Sequence, residues 1–208
     1  MTLLQSGVTK SLADDAYTID NSLRFGVGTD SYLGKTFASA GDQKTWTFSC
    51  WYKQGNPGDT CYHLAQAAST ENYAQFYIDS TDQIRLINKP QSGTGGNTVL
   101  FSTPVFRDPG AWYHLVCKYD TTPSTPGAND VAMFVNGEKV TDLGTADYPD
   151  QNDEGYMNGT EQMTLGFNIR ETGDFDGYLA EVYFIDGQAL DADSFGELDS
   201  TTNQWIPL

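Results

Sequence analysis

The chain is 208 residues long, enough to bury one substantial core, and all-β sandwiches reach this length as a single unit. Aromatic residues at 13% and 21 glycines suit stacked sheets joined by tight turns more than helices. Eleven basic against 28 acidic residues give a formal charge of −17, so nucleic acid and anionic membrane surfaces are excluded as partners by repulsion.

Residues 1–20 show little periodicity and carry Asp14, Asp15 and Asp20, so they read as an N-terminal arm that attaches the domain at 21–208. The first residues lack a basic start followed by an apolar run, and no apolar stretch nears membrane-spanning length. The expectation is a chain made without a signal that works in solution.

Strands are predicted over 22–25, 31–33, 44–53, 73–79, 83–88, 99–101, 112–119, 131–135, 162–167 and 178–185. In 44–53, Trp46, Phe48, Cys50 and Tyr52 share one face while Thr45, Thr47 and Ser49 take the other. That is the period-two pattern of a half-buried strand, and Trp51 breaks its polar face.

Val135-Asn136-Gly137-Glu138 is the strongest turn signal, because both central positions of a type I′ turn need positive φ. It predicts a hairpin between 131–135 and 138–141. Ile185-Asp186-Gly187-Gln188 offers Asp-Gly in the same role, and 194–198 suits one short helical turn. No longer segment carries a helical stripe. Loops are expected at 54–59, 90–97 and 121–129, and a long acidic one with two tyrosines at 142–159.

Cys50, Cys61 and Cys117 are odd in number and have neither disulfide-framework nor zinc spacing. Cys50 and Cys117 fall in strand-like stretches, where a free thiol serves as a small buried hydrophobe. Cys61 has no evident place.

An ordered series of motifs carries a resemblance: SYLGKTFASAGDQKTWTFSCWYK, FRDPGAWYHLVCKYDTT, VNGEKV, and FDGYLAEVYFIDGQAL followed by SFGELDSTTNQWIP. Together they resemble the concanavalin-like, laminin-G-like domains of marine bacteriophage structural proteins, over residues 21–207. The resemblance implies an all-β fold, a two-sheet antiparallel jelly-roll sandwich with little helix. It also implies a module displayed on a virion as a head decoration, a head fibre or part of a tail fibre. Its partners would then be phage capsid or tail proteins, and repeated copies on a symmetric particle imply a homo-oligomer. Synthesis in the host bacterial cytoplasm agrees with unpaired cysteines.

Glucanases that share this fold use an E-x-D-x-x-E strand, whose carboxylates must flank one glycosidic bond. Here Glu197-Leu198-Asp199 begins the pattern, but Thr202 stands where the second Glu belongs. His63 and His114 are the only histidines, and neither lies in a nucleophile motif. The chain is therefore read as non-enzymatic.

Host surface glycans are the sharper binding hypothesis, with Tyr148, Asp153, Tyr156 and Asn158 of the long loop as candidates for stacking and hydrogen bonding. The alternative is that these tyrosines pin the loop to the sandwich. For calcium, Asp174 and Asp176 beside Gly173 and Gly177 offer oxygens, while the same residues suit a turn before a core strand. No cofactor is required by the pattern, and calcium is the one metal it would admit.

Overall fold

A computed structural model describes residues 19–28, 31–67, 71–89, 97–168 and 173–208. Of the predicted arm, residues 1–18 lie outside the described residues.

Two antiparallel sheets face each other. The first runs in the order β1 (Leu23–Phe25), β15 (Gly177–Asp186), β3 (Thr45–Gln54), β8 (Tyr113–Asp120), β9 (Ala132–Val135), β10 (Glu138–Lys139). The second runs β11 (Leu143–Asp147), β7 (Thr98–Val105), β6 (Gln83–Asn88), β5 (Tyr73–Ile78), β4 (Cys61–Ala67), β12 (Met163–Leu165), β2 (Leu33–Lys35). Two short ladders complete the described fold, β13 (Phe167–Asn168) with β14 (Gly173–Asp174) and β16 (Gly196–Leu198) with β17 (Trp205–Pro207). The one helical segment among the described residues is a 3-10 turn at Ala192–Ser194. This is the two-sheet jelly-roll sandwich that the resemblance implied.

The core follows from the alternation in β3. Trp46, Phe48, Cys50 and Tyr52 are fully buried between the sheets, because successive side chains of a strand point to opposite faces. From β8 come Leu115, Cys117 and Tyr119, and from the opposite sheet Leu64, Phe76, Ile78, Ile84, Leu86 and Leu100. Phe48 meets Phe76 edge-on across the sandwich at 6.0 Å, and Trp46 stacks on Tyr119 at 4.9 Å. Each such side chain contributes about 1.5–3 kcal/mol on burial.

The Asn136-Gly137 turn forms as predicted, with φ of 48° and 81° at its two central residues and Glu138 opposite Val135. At Asp186-Gly187 only Gly187 has positive φ, and the end of β15 pairs with β3, not with any described strand that follows the turn. Gly187 instead donates its N–H to Thr45 O at 3.0 Å, so the chain turns off the sheet there. The predicted helical turn at 194–198 is displaced: the 3-10 turn ends at Ser194 and β16 occupies Gly196–Leu198. The strand pattern does not mark β4, β11, β14, β16 or β17. β4 places Cys61 in the core, and β11 turns the start of the expected long loop into an edge strand beside β7.

All three cysteines are free and buried. Burial pushes the Cys61 thiol up to about 12 and those of Cys50 and Cys117 higher still, because an apolar surrounding disfavours the thiolate.

Candidate functional site

The outer face of the six-stranded sheet is not left to water. Thr47, Ser49 and Trp51, on the polar side of β3, are buried along with His114 and Val116 of β8. What covers them is the chain after β15. Val116, Ala132, Phe134 and Ala192 form a second small core, with Phe195 and Trp205 packed against it. The hydroxyls beneath this cover are all used. Thr47 Oγ1 donates to Gln188 O at 2.7 Å and accepts from the Leu190 N–H at 2.7 Å.

At the centre of this face lies a hydrogen-bonded chain. Trp205 Nε1 is 3.0 Å from His114 Nδ1, and His114 Nε2 is 2.9 Å from Ser49 Oγ. An indole N–H can only donate, so Nδ1 accepts and the ring proton sits on Nε2, where it is donated to Ser49. Burial lowers the His114 pKa to about 4, which keeps the ring neutral at neutral pH. The Trp51 ring stacks on the same imidazole at 5.0 Å and that of Trp205 at 6.0 Å.

Beside this stack a cleft of about 320 Å³ opens, walled by Trp51, Trp112 and Trp205 and edged by Asp20, Asn21 and Ser22. The Asp108-Pro109-Gly110 turn projects Trp112 into it. Gly110 N–H donates to Asp108 Oδ1 at 2.8 Å and Ala111 N–H to Asp108 O at 3.2 Å. Trp112 is 36% exposed, whereas Trp51 is 7% exposed. Behind Trp112, Tyr178 lies at 6.4 Å with Arg24 over its ring, and Arg24 is ion-paired to Asp176 at 2.5 Å.

The residues predicted from sequence lie elsewhere. Tyr156 and Asn158 are buried, and Tyr148 is half-buried against the main core. Asn158 Nδ2 donates to Asp42 O at 3.1 Å and to Asp186 Oδ1 at 2.7 Å. Asp153 accepts from the Asp150 N–H at 2.8 Å within the loop. The structure therefore holds this loop against the sandwich and does not bring the four side chains together on an open face. Asp174 Oδ2 accepts from the Gly28 N–H at 2.8 Å, and Asp176 is engaged by Arg24. No group of three or more metal-ligating side chains gathers among the described residues. Glu197 sits in β16, and Asp199 Oδ1 caps the turn after it by accepting the Thr201 N–H at 2.7 Å.

Sequence reasoning missed the cleft, although one signal was present: Trp51, the large apolar residue on a face otherwise made of Thr and Ser. Nothing local links it to Trp112 or Trp205, which are 61 and 154 residues further on by number.

A family model described as the concanavalin A-like lectin/glucanases superfamily, Laminin_G_3, matches residues 26–194. The chain belongs to this superfamily. Solved structures agree on the fold of this superfamily member. The heptameric SAP-like pentraxin of Limulus polyphemus is 15% identical, with a TM-score of 0.52 over 80% of this chain and 76% of that one. Mouse laminin alpha1 chain domains LG4-5 are 14% identical, TM-score 0.59, over 86% of this chain and 45% of that one. The CBM40 of Ruminococcus gnavus IT-sialidase is 14% identical, TM-score 0.52, over 79% and 95%. No curated protein matches the chain in sequence.

Proposed function

We propose that this superfamily member is a non-enzymatic structural protein of a phage virion, an exposed jelly-roll module that decorates the capsid as a head decoration or head fibre. The ordered motifs quoted above support the virion setting and its partners, capsid or tail proteins, with the module held as a homo-oligomer. The observation that carries the non-enzymatic reading is the Trp205–His114–Ser49 chain. With Nδ1 occupied by an indole donor and Nε2 already protonated, His114 has no free base to take a proton from Ser49. Glu197 and Asp199 likewise do not form a pair of carboxylates flanking a cleft.

A second reading is favoured by the three-tryptophan cleft: a carbohydrate-binding adhesin domain of a tail fibre, touching host surface glycans. The experiment that separates the two is rebinding of the purified chain, with and without residues 1–20, to capsids and tails stripped of it, followed by negative-stain imaging. Arm-dependent return to capsids supports the decoration protein. Return to tails, or binding only to host cells, supports the adhesin. Turnover of a glycan that disappears in Glu197→Gln would overturn both in favour of a glycoside hydrolase.

A further inference from the structure

We infer that the cleft between Trp51, Trp112 and Trp205 is a binding site for one neutral hexopyranose unit of a glycan, taken face-on. The inference rests on the carbohydrate-binding reading but not on where the module is mounted.

Three indoles converge on one opening of about 320 Å³, at the small end of the ~300–1,000 Å³ usual for small-molecule clefts. A pyranose ring presents a face of C–H bonds with partial positive charge, and an indole presents a face of negative quadrupole. Ring faces in a cleft this size suit a single sugar unit better than an extended chain.

Two of the walls are fixed before any ligand arrives. Trp51 and Trp205 both stack on the His114 ring, and the Trp205 N–H is committed to His114 Nδ1. Little side-chain freedom remains to be lost there on binding. Trp205 also holds the C-terminal strand, so its position has a structural cause. Trp112 has none of comparable weight, since it is 36% exposed and precedes β8. An aromatic wall left open to solvent beside two immobilised ones is the arrangement a stacking site requires.

The edge supplies the polar part. Asp20 accepts hydrogen bonds, and Asn21 and Ser22 both donate and accept, which suits ring hydroxyls. Among the described residues lining the cleft, Asp20 is the one ionisable side chain. Its carboxylate, on a chain of net charge −17, disfavours sugars that carry a carboxylate of their own. The ligand class is therefore neutral.

The test titrates the full chain with maltotriose, cellotriose and mannotriose as neutral probes and 3′-sialyllactose as the anionic one. Tryptophan fluorescence and calorimetry supply the readouts. Saturable binding of at least one neutral probe is expected. Trp112→Ala should weaken it at least about tenfold, with Trp112→Phe intermediate because a flat ring remains. Near-ultraviolet circular dichroism verifies that both variants keep the native packing. Binding that Trp112→Ala leaves unchanged would overturn the cleft while leaving the carbohydrate reading intact. Preference for sialyllactose would overturn the neutral class. No binding of any sugar, by the full chain or by one lacking residues 1–18, would overturn the site and the carbohydrate reading together.

Discussion

Trp205 donates its indole N–H to His114 Nδ1 across 3.0 Å, and this one bond ties the last strand of the chain to the middle of the six-stranded sheet. Because His114 donates its Nε2–H to Ser49 Oγ at 2.9 Å, three residues far apart in sequence form one hydrogen-bonded chain. Trp205→Phe keeps the ring packing and removes the donor, leaving a buried acceptor without its partner. The expected loss is about 1–3 kcal/mol, read as a lower urea midpoint with an unchanged m-value.

Acid should weaken the fold well above the carboxylate range. Burial lowers the His114 pKa to about 4 and that of His63 to about 3, against 6.5 for a free imidazole. The unfolded chain therefore binds more protons than the folded one between pH 6.5 and these values. Stability is complete above pH 6.5 and declines as the pH falls below it, by up to roughly 1.4 kcal/mol per pH unit for each ring. Urea midpoints at pH 7 and pH 5 check this. A midpoint at pH 5 equal to that at pH 7 would refute it.

His63 separates the two contributions. Among the described residues its ring nitrogens have no hydrogen-bond partner, and it lies among Tyr52, Phe76 and Phe175. An unsatisfied buried polar group costs about 1–3 kcal/mol. His63→Leu should therefore raise the urea midpoint at pH 7 and make the decline toward pH 5 shallower.

The hairpin turn is constrained twice at Gly137. Its φ is +81°, and a Cβ there would lie 2.4 Å from the Trp205 ring. Gly137→Ala combines a left-handed backbone with displacement of that indole. A loss of roughly 2–4 kcal/mol is expected, accompanied by a change in tryptophan fluorescence because the cleft wall moves. Asn136→Gly, which retains the turn conformation, should leave that fluorescence nearly unchanged. It removes the side-chain oxygen that accepts the backbone N–H of His114 at 2.7 Å, so its effect is confined to stability.

The long acidic loop is anchored from β6. Asn88 Oδ1 accepts the N–H groups of Tyr156 at 2.7 Å and Met157 at 3.3 Å, all in buried surroundings. Asn88→Ala should cost about 2–4 kcal/mol by stranding both donors. Amide exchange in residues 150–159 should quicken more than in β3 or β8.

How much of this was legible beforehand varies by element. The alternation in 44–53 marked the inner face of β3 because one side of a strand in a sandwich must be apolar. Asn136-Gly137 marked the hairpin because positive φ at two successive positions admits few residues. β4 was obscured: its sequence Cys61–Ala67 mixes His63 and Gln66 with apolar residues, and both are buried only because neighbouring strands cover each face. Tyr156 and Asn158 carried the composition of a binding loop, which does not distinguish side chains that face solvent from those that fasten the loop down.

The sequence by itself determined the class of fold, the tight turns and the inner core, because each depends on residues close together in the chain. The tertiary structure alone decided that the outer face of the six-stranded sheet is covered, that His114 is a neutral donor to Ser49, and that Trp51, Trp112 and Trp205 wall one cleft. Those relationships join β3, the start of β8 and the C-terminal strand across 154 residues, and no local periodicity records which distant side chains the sheet order will set side by side.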